Sequence, residues 1–257
     1  MKRLLKKLGW HYSLEDNKRT YLGQHFLIDF STISKIVGSC NVSKTDTVLE
    51  FGTGYGYLTK EISKLSKVVY SYEIEEGLYL KAKSYLGNVS NVRIFNEDFF
   101  AQDPYEFDFF LSNIPYCRSK EIMKWLSLHE FREAIIMVQK EFSEKLIAFP
   151  GDRKYSVVSV FSQYCFDIEP LFDVENDSFL PSPRIESNVM RLMKKSKKKE
   201  MTEDVIANLE YLFSHRNKNV VSIVNNKDYG TKRIDELDPE SLLKISMELN
   251  DRKQSRT

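Results

Sequence analysis

From about residue 45 the chain alternates short apolar runs with longer amphipathic stretches. The runs are "DTVLEFG" (46–52), "KVVYSYE" (67–73), "VRIFNED" (92–98), "FDFFLSN" (107–113) and "REAIIMVQ" (132–139). They are rich in Val, Ile, Phe and Tyr with little polar alternation, which suits strands buried on both faces of a parallel sheet. Between them, "GYLTKEISKLSK" (56–67) and "EEGLYLKAKSYLG" (75–87) carry helical spacing, the second closed by a glycine suited to a C-cap. Strand, helix, strand in repetition predicts a doubly wound α/β domain.

Beyond residue 150 the pattern changes. "YSVVSVFSQYCFDIEPLFDV" (155–174) and "SNVMRLM" (187–193) read as long strands, joined by "SFLPSPRIE" (178–186) into an antiparallel hairpin that finishes the sheet. The run "KKSKKKE" (194–200) reads as a linker to about 55 largely helical residues. The predicted organisation is a main domain over 1–193 and a small helical domain over 194–257, with no internal repeat.

Composition changes this picture in three ways. An apolar content of 42% with 13% aromatics excludes a disordered chain. No apolar run approaches the roughly 18 residues of a membrane span, and the basic start "MKRLLKKLGW" lacks the apolar core of a signal peptide, so a soluble cytoplasmic protein is expected. Cys40, Cys117 and Cys165 lie far apart without metal-ligand spacing, which fits a reducing compartment and predicts no metal site. The net charge of +1 hides an asymmetry. Residues 1–24 carry six Lys/Arg against two acids, residues 193–257 fourteen against eleven, and the middle eighteen against twenty-four. Basic ends around an acidic centre suit either simple solubility or a polyanion gripped at the periphery.

The candidate chemistry sits at the ends of the predicted strands. "LEFGTGYGYLT" (49–59) puts Gly52, Gly54 and Gly56 between a strand and a helix, where positive φ and close ligand approach are possible. Tyr57 breaks the G-x-G-x-x-G template of nicotinamide sites, and a purely structural turn is the alternative. Glu73 ends the next run, 21 residues after Gly52, where α/β nucleotide sites bind ribose hydroxyls. Asp98 ends the third, before two phenylalanines; a carboxylate there suits an exocyclic amine and an aromatic suits a purine face. Each acid alone reads as a solvated strand end, but together they outline an adenosine-shaped crevice.

The fourth run ends in Asn113-Ile114-Pro115-Tyr116. The amide oxygen of Asn113 and the carbonyl of Pro115 are two acceptors for an amine on a planar ring. Tyr116 offers a ring on which a flipped-out base can stack. A turn that merely stops a strand needs the proline but neither neighbour. The electrophile an adenosine crevice supplies is the methyl sulfonium of S-adenosyl-L-methionine, so the strand tip reads as an amine-methylation pocket working by positioning.

With "LGQHFLID" (22–29), "YEIE" (72–75), "NEDFF" (96–100), "FLPSPRIES" (179–187) and "LFSHRNK" (212–218) added to the glycine turn and "NIPY", the chain closely resembles the KsgA/Dim family of ribosomal RNA adenine dimethyltransferases over nearly its full length. The resemblance implies a class I methyltransferase fold, Rossmann-like, with a mostly parallel seven-stranded sheet, a C-terminal antiparallel hairpin and a small helical domain. It implies that Gln24, His25 and Leu27 lie over the cofactor, with Gly52 and Gly54 at its methionine end. Glu73 would bind the ribose, Asp98 the adenine amine, and Asn113 would lie between cofactor and target. Phe179 would clamp the flipped adenine opposite Tyr116.

The implied substrate is a pair of adjacent adenines in a hairpin near the 3′ end of small-subunit rRNA, taken to N6,N6-dimethyladenosine within a pre-30S-type particle by a monomeric enzyme. Arg216 and Lys218 are candidates for holding RNA backbone. The sequence departs from the family's commoner residues at His25, Thr53 and Glu186. An Erm-type methyltransferase of large-subunit rRNA, a DNA or protein amine methyltransferase, and a non-catalytic ribosome-assembly factor are the rival readings. Cys117 reads as a small filler, since amine methylation needs no nucleophile.

Overall fold

The computed structural model describes residues 25–101, 103–196, 201–224 and 229–254, the side chains of the last to residue 249. Gln24 and most of the 194–200 run lie outside them. Five parallel strands form the centre: β2 (Thr47–Phe51), β3 (Val68–Tyr72), β4 (Val92–Phe95), β5 (Phe109–Asn113) and β6 (Glu133–Gln139). β7 (Phe166–Val174) and β9 (Ser187–Lys194) add antiparallel to give seven strands in the order β4-β3-β2-β5-β6-β9-β7. The fold is the expected class I methyltransferase sheet. A separate two-stranded piece pairs β1 (Phe26–Leu27) with β8 (Phe179–Leu180).

The near-continuous apolar strands are covered on both faces. Val48, Phe109, Leu111, Ile135 and Met137 face α1 (Phe30–Gly38), α2 (Tyr57–Ser63) and α3 (Glu76–Leu86). Leu49, Phe110, Ala134, Ile136 and Val138 face the other way, onto α4 (Ser119–Leu128) and the helices beyond it. Alternation along each strand divides the two sets between two cores. Strand order reverses between β2 and β5, so their carboxyl ends flank the switch point where open α/β sheets bind ligands.

The sequence reading of 155–174 needs correcting. Its first half is a helix, α6 (Val157–Cys165), and only Phe166–Val174 is strand. The β-branched run imitates a strand because this helix is buried on nearly all sides, so no polar face marks its period. Ser156 and Ser159 cap it reciprocally, a start signal hidden in a Ser- and Val-rich run.

α5 (Lys140–Leu146) precedes α6, and α7 (Glu203–Ser214), α8 (Val220–Val224) and α9 (Pro239–Gln254) follow the sheet. Val205, Leu209, Leu212, Leu242 and Ile245 join the core that holds Phe161 and Phe110. The C-terminal helices thus share a continuous apolar interior with the sheet. No helix among the described residues is long and apolar enough to cross a membrane.

Candidate active site

A cleft of about 250 Å³ opens at the carboxyl ends of β2, β3 and β5. Its floor is the glycine turn. Gly52 and Thr53 both donate to the carbonyl of Tyr72, at 2.9 and 3.1 Å, which ties the turn to the end of β3. Gly54 has φ +56, and a Cβ there would stand 3.3 Å from the Phe26 ring, so both backbone and space demand glycine. Gly56, at φ +80, leads into α2.

Glu73 is 5% exposed. It accepts the Gly54 N–H at 2.9 Å through Oε2 and the Glu75 N–H at 3.0 Å through Oε1. Burial raises its pKa, against the pull of those two donors. Each oxygen keeps a lone pair for a hydroxyl in the cleft. Asp98 is exposed at the rim, beyond the end of β4 rather than within it. The strand stops at Phe95 because the side chain of Asn96 turns back to donate to the Glu73 carbonyl at 2.8 Å. Asp98 Oδ1 accepts the Phe100 N–H at 3.1 Å, leaving Oδ2 for a ligand. Buried Phe99 and exposed Ile74 supply apolar walls beside it.

Asn113 ends β5, and its amide is oriented by a single bond. Nδ2 donates to the carbonyl of His25 at 2.9 Å, so Oδ1 is the acceptor left at the cleft. His25 is itself anchored, with Nδ1 2.8 Å from the carbonyl of Pro181. The β1–β8 pair therefore carries His25, Phe26 and Leu27 across the cleft, all three lining it. Pro115 also lines it, but its carbonyl already accepts the Arg118 N–H at 2.8 Å and closes a 3₁₀ turn. One lone pair of that carbonyl stays uncommitted. Tyr116 stands beside the cleft rather than in its lining, half-buried with its hydroxyl 2.7 Å from Ser187 Oγ, and burial raises its pKa.

Phe179 is not where the resemblance puts it. It pairs with Leu27 in the β1–β8 ladder, is 1% exposed, and does not line the cleft. Alternation in the short strand sends Phe179 inward and Leu180 outward, so no face of the ring is open to a base. The ring across from Tyr116 is His25, with centroids 5.2 Å apart and planes tilted by 32°. Cys117 is an exposed residue of the cleft rather than a packed filler.

Sequence reasoning missed Glu50. This β2 carboxylate lines the cleft although it is only 1% exposed. Oε2 accepts the hydroxyls of Thr59 and Ser71, each at 2.6 Å, and Thr53 Oγ1 lies 2.5 Å from Ser71 Oγ. Oε1 has no protein partner among the described residues. Burial lifts the carboxyl to about 7 in spite of the two hydroxyls. An acid interrupting "TVLEF" was the available signal, since a charge within a doubly buried strand needs a reason.

The family described as Ribosomal RNA adenine dimethylase matches residues 15–247. The chain belongs to that family. It is 33% identical to "Probable ribosomal RNA small subunit methyltransferase A" of Thermococcus gammatolerans, over 98% of this chain and 95% of that one. It is 32% identical to the protein of the same description from Pyrococcus abyssi, over 91% and 92%. Among solved structures, a dimethyladenosine transferase from Plasmodium falciparum superposes with TM-score 0.78 at 24% identity, covering 89% of this chain and 98% of that chain. The 23S rRNA methyltransferase ErmE superposes with TM-score 0.64 at 25% identity, covering 88% and 99%.

Members of this family are methyltransferases that use S-adenosylmethionine. The cleft suits that molecule. Two buried carboxylates under a glycine turn match a charged amino-acid end and ribose hydroxyls, and an acid between apolar walls matches a purine carrying an amine.

Proposed function

We propose that the chain transfers methyl groups from S-adenosylmethionine to N6 of two adjacent adenines in a hairpin near the 3′ end of small-subunit rRNA, within a small-subunit precursor in the cytoplasm. Similarity to small-subunit methyltransferases over more than nine-tenths of both chains favours this target over the large-subunit one. The observation that carries the chemistry is the Asn113 amide, locked by the His25 carbonyl with Oδ1 free at the cleft.

When bound, S-adenosylmethionine supplies an electrophilic methyl group on a sulfonium. Glu73 would accept ribose hydroxyls and Asp98 Oδ2 the adenine amine, with Ile74 and Phe99 as the apolar walls for the ring. Glu50 and the glycine turn would hold the charged end. Asn113 Oδ1 would accept an N–H of the target amine and draw its lone pair out of conjugation; the amine would take the methyl as the carbon–sulfur bond breaks to leave a neutral thioether, and its surplus proton would pass to water. The second lone pair of the Pro115 carbonyl is a further acceptor. Tyr116 stacks the extruded base, and its hydrogen bond to Ser187 keeps the ring from swinging away. His25 and the β1–β8 pair roof the cleft. Catalysis is thus positioning, with no covalent enzyme intermediate.

The test incubates the protein and radiolabelled S-adenosylmethionine with unmethylated small subunits, with large subunits and with total protein. N6,N6-dimethyladenosine in small-subunit RNA supports the reading. Label in large-subunit RNA overturns the target. Cofactor binding without transfer to any of the three leaves an assembly factor on a methyltransferase fold.

A further inference from the structure

Phe149 is 75% exposed at the tip of the loop joining α5 to α6. A solvated phenylalanine on a slack loop would mean little, but this loop is tied down throughout. Gln163 Nε2 donates to the carbonyls of Leu146 and Ala148, at 2.9 and 2.8 Å. Asp152 N donates to the Phe149 carbonyl at 3.0 Å. Gly151 N donates to the Asp235 carbonyl at 2.7 Å, and Tyr155 Oη to the Leu237 carbonyl at 3.0 Å. The backbone is fixed while the ring is left in water.

The segments that hold the loop are basic. Lys218 and Lys232 flank a backbone ladder in which Asn219 bridges Arg233, Val220 N donates to the Lys232 carbonyl and Ile234 N to the Lys218 carbonyl. Residues 149–155, 215–220 and 231–237 together hold six Lys/Arg against three acids. The cations divide into two kinds, and Lys154, paired with Glu144, belongs with the committed ones. Arg216 and Arg233 converge on buried Asp235, at 3.2 and 3.5 Å, so Arg216 stitches the surface together. Arg153, Lys218 and Lys232 are exposed and make no ion pair among the described residues, although Lys232 lies near enough to Glu236 to help lower its pKa. Those three are free to meet an anion.

We propose that this surface is a second RNA contact, in which Phe149 stacks an unpaired base and Arg153, Lys218 and Lys232 hold the flanking phosphates. A fixed aromatic among unpaired cations is the pairing that single-stranded RNA demands, since every base has a π face and every step a phosphate. α5 starts directly after β6, at the same end of the sheet as Asn113, which pairs with Met137 of β6, and its seven residues span about 10 Å. One RNA molecule can therefore reach both the cleft and the loop. The inference rests on the rRNA-methylating reading and adds where the substrate is held away from the reacting base.

The experiment measures affinity for unmethylated small ribosomal subunits over a salt series, with methyl transfer read in the same samples. Thermal melting checks that each variant folds. Phe149→Leu keeps an apolar group and removes the π face; it weakens binding about tenfold, while Phe149→Tyr stays near the parent protein. Arg153→Gln, Lys218→Gln and Lys232→Gln combined lower the slope of log affinity against log salt by about 2 to 3. Phe149→Leu binding like the parent, or an unchanged salt slope in the triple variant, overturns the proposal. Parent protein that binds subunits with these dependences but transfers no methyl removes the catalytic reading and leaves the surface.

Discussion

Two buried glutamates sit in the same sheet and are treated in opposite ways. Glu133, at the start of β6, is 4% exposed. Asn41 Nδ2 donates to its Oε2 at 2.7 Å, and Arg191 Nε stands 3.4 Å from its Oε1. The ion pair is too poorly aligned to count as a hydrogen bond, yet it brings a cation to the charge, and Glu169 shares that cation at 2.6 Å. Glu50, on β2, is as deeply buried but is met only by hydroxyls. Nothing positive compensates it among the described residues, and its carboxyl rises to about 7. Away from the cleft the fold completes its own electrostatics. At the cleft it leaves a carboxylate for a ligand to complete, which is why perturbed acids gather at functional sites.

The sharpest break in that contrast comes from the residue proposed to meet the target base. Asn113→Ala leaves cofactor binding nearly intact and lowers turnover by about 10²- to 10³-fold; a loss below tenfold, about 1.4 kcal/mol of barrier, would undo the pocket assignment. Glu133→Ala removes the acceptor of Asn41 and one of the two carboxylates on Arg191, which keeps Glu169 and the Ser39 carbonyl, and destabilises the fold by about 1 to 2 kcal/mol in denaturant titration. The same variant leaves the pH dependence of cofactor affinity where it was.

Glu50→Gln does the reverse. In the parent protein an ionised Glu50 is favoured by a bound ammonium, so cofactor affinity climbs as pH rises toward and past 7. In the Gln variant isothermal titration finds that climb flattened, with affinity at pH 8 about tenfold lower. A linked effect appears without cofactor. The folded state holds the Glu50 proton to about pH 7 while the unfolded chain releases it near 4.5, so this group's contribution to stability falls as pH rises across that window. Removing the carboxyl removes that slope. An unchanged melting profile from pH 4.5 to 7.5 would count against the buried charge.

Gly54→Ala adds a methyl 3.3 Å from the Phe26 ring at a φ that L residues rarely adopt, and weakens cofactor binding by several-fold to tenfold. The smallest effect belongs to Tyr116→Phe. It keeps the stacking ring and loses the bond to Ser187, worth about 1 kcal/mol, so turnover falls about fivefold or less; Tyr116→Ala falls well below it.

Much of this molecule is legible in its sequence. Five strands, two early helices and the glycine turn declared themselves through apolar runs and punctuation, each boundary within a few residues. "NIPY" at a strand end marked out Asn113, which lines the cleft, and Tyr116, which stands beside it. α6 was misread as a strand because burial on all sides erases the polar stripe that reveals a helix. Phe179 was placed by resemblance at a wall and lies instead beneath it, since which face of a two-residue strand points inward depends on its pairing with β1. Arg216 and Lys218 looked alike in "SHRNK", and only contact with Asp235 separates them.

Local pattern and residue chemistry therefore determined the fold class and the order of the central strands, and they singled out the strand-end residues of the proposed pocket, because periodicity and strand-end motifs are written in consecutive residues. The tertiary structure alone decided the roof, the orientation of the Asn113 amide, the lone state of Glu50 and the loop under Phe149. Each rests on a contact between segments far apart in the chain: His25 with Asn113 and Pro181, β1 with β8, and Gly151 with Asp235. Such contacts leave no mark on the spacing of neighbours.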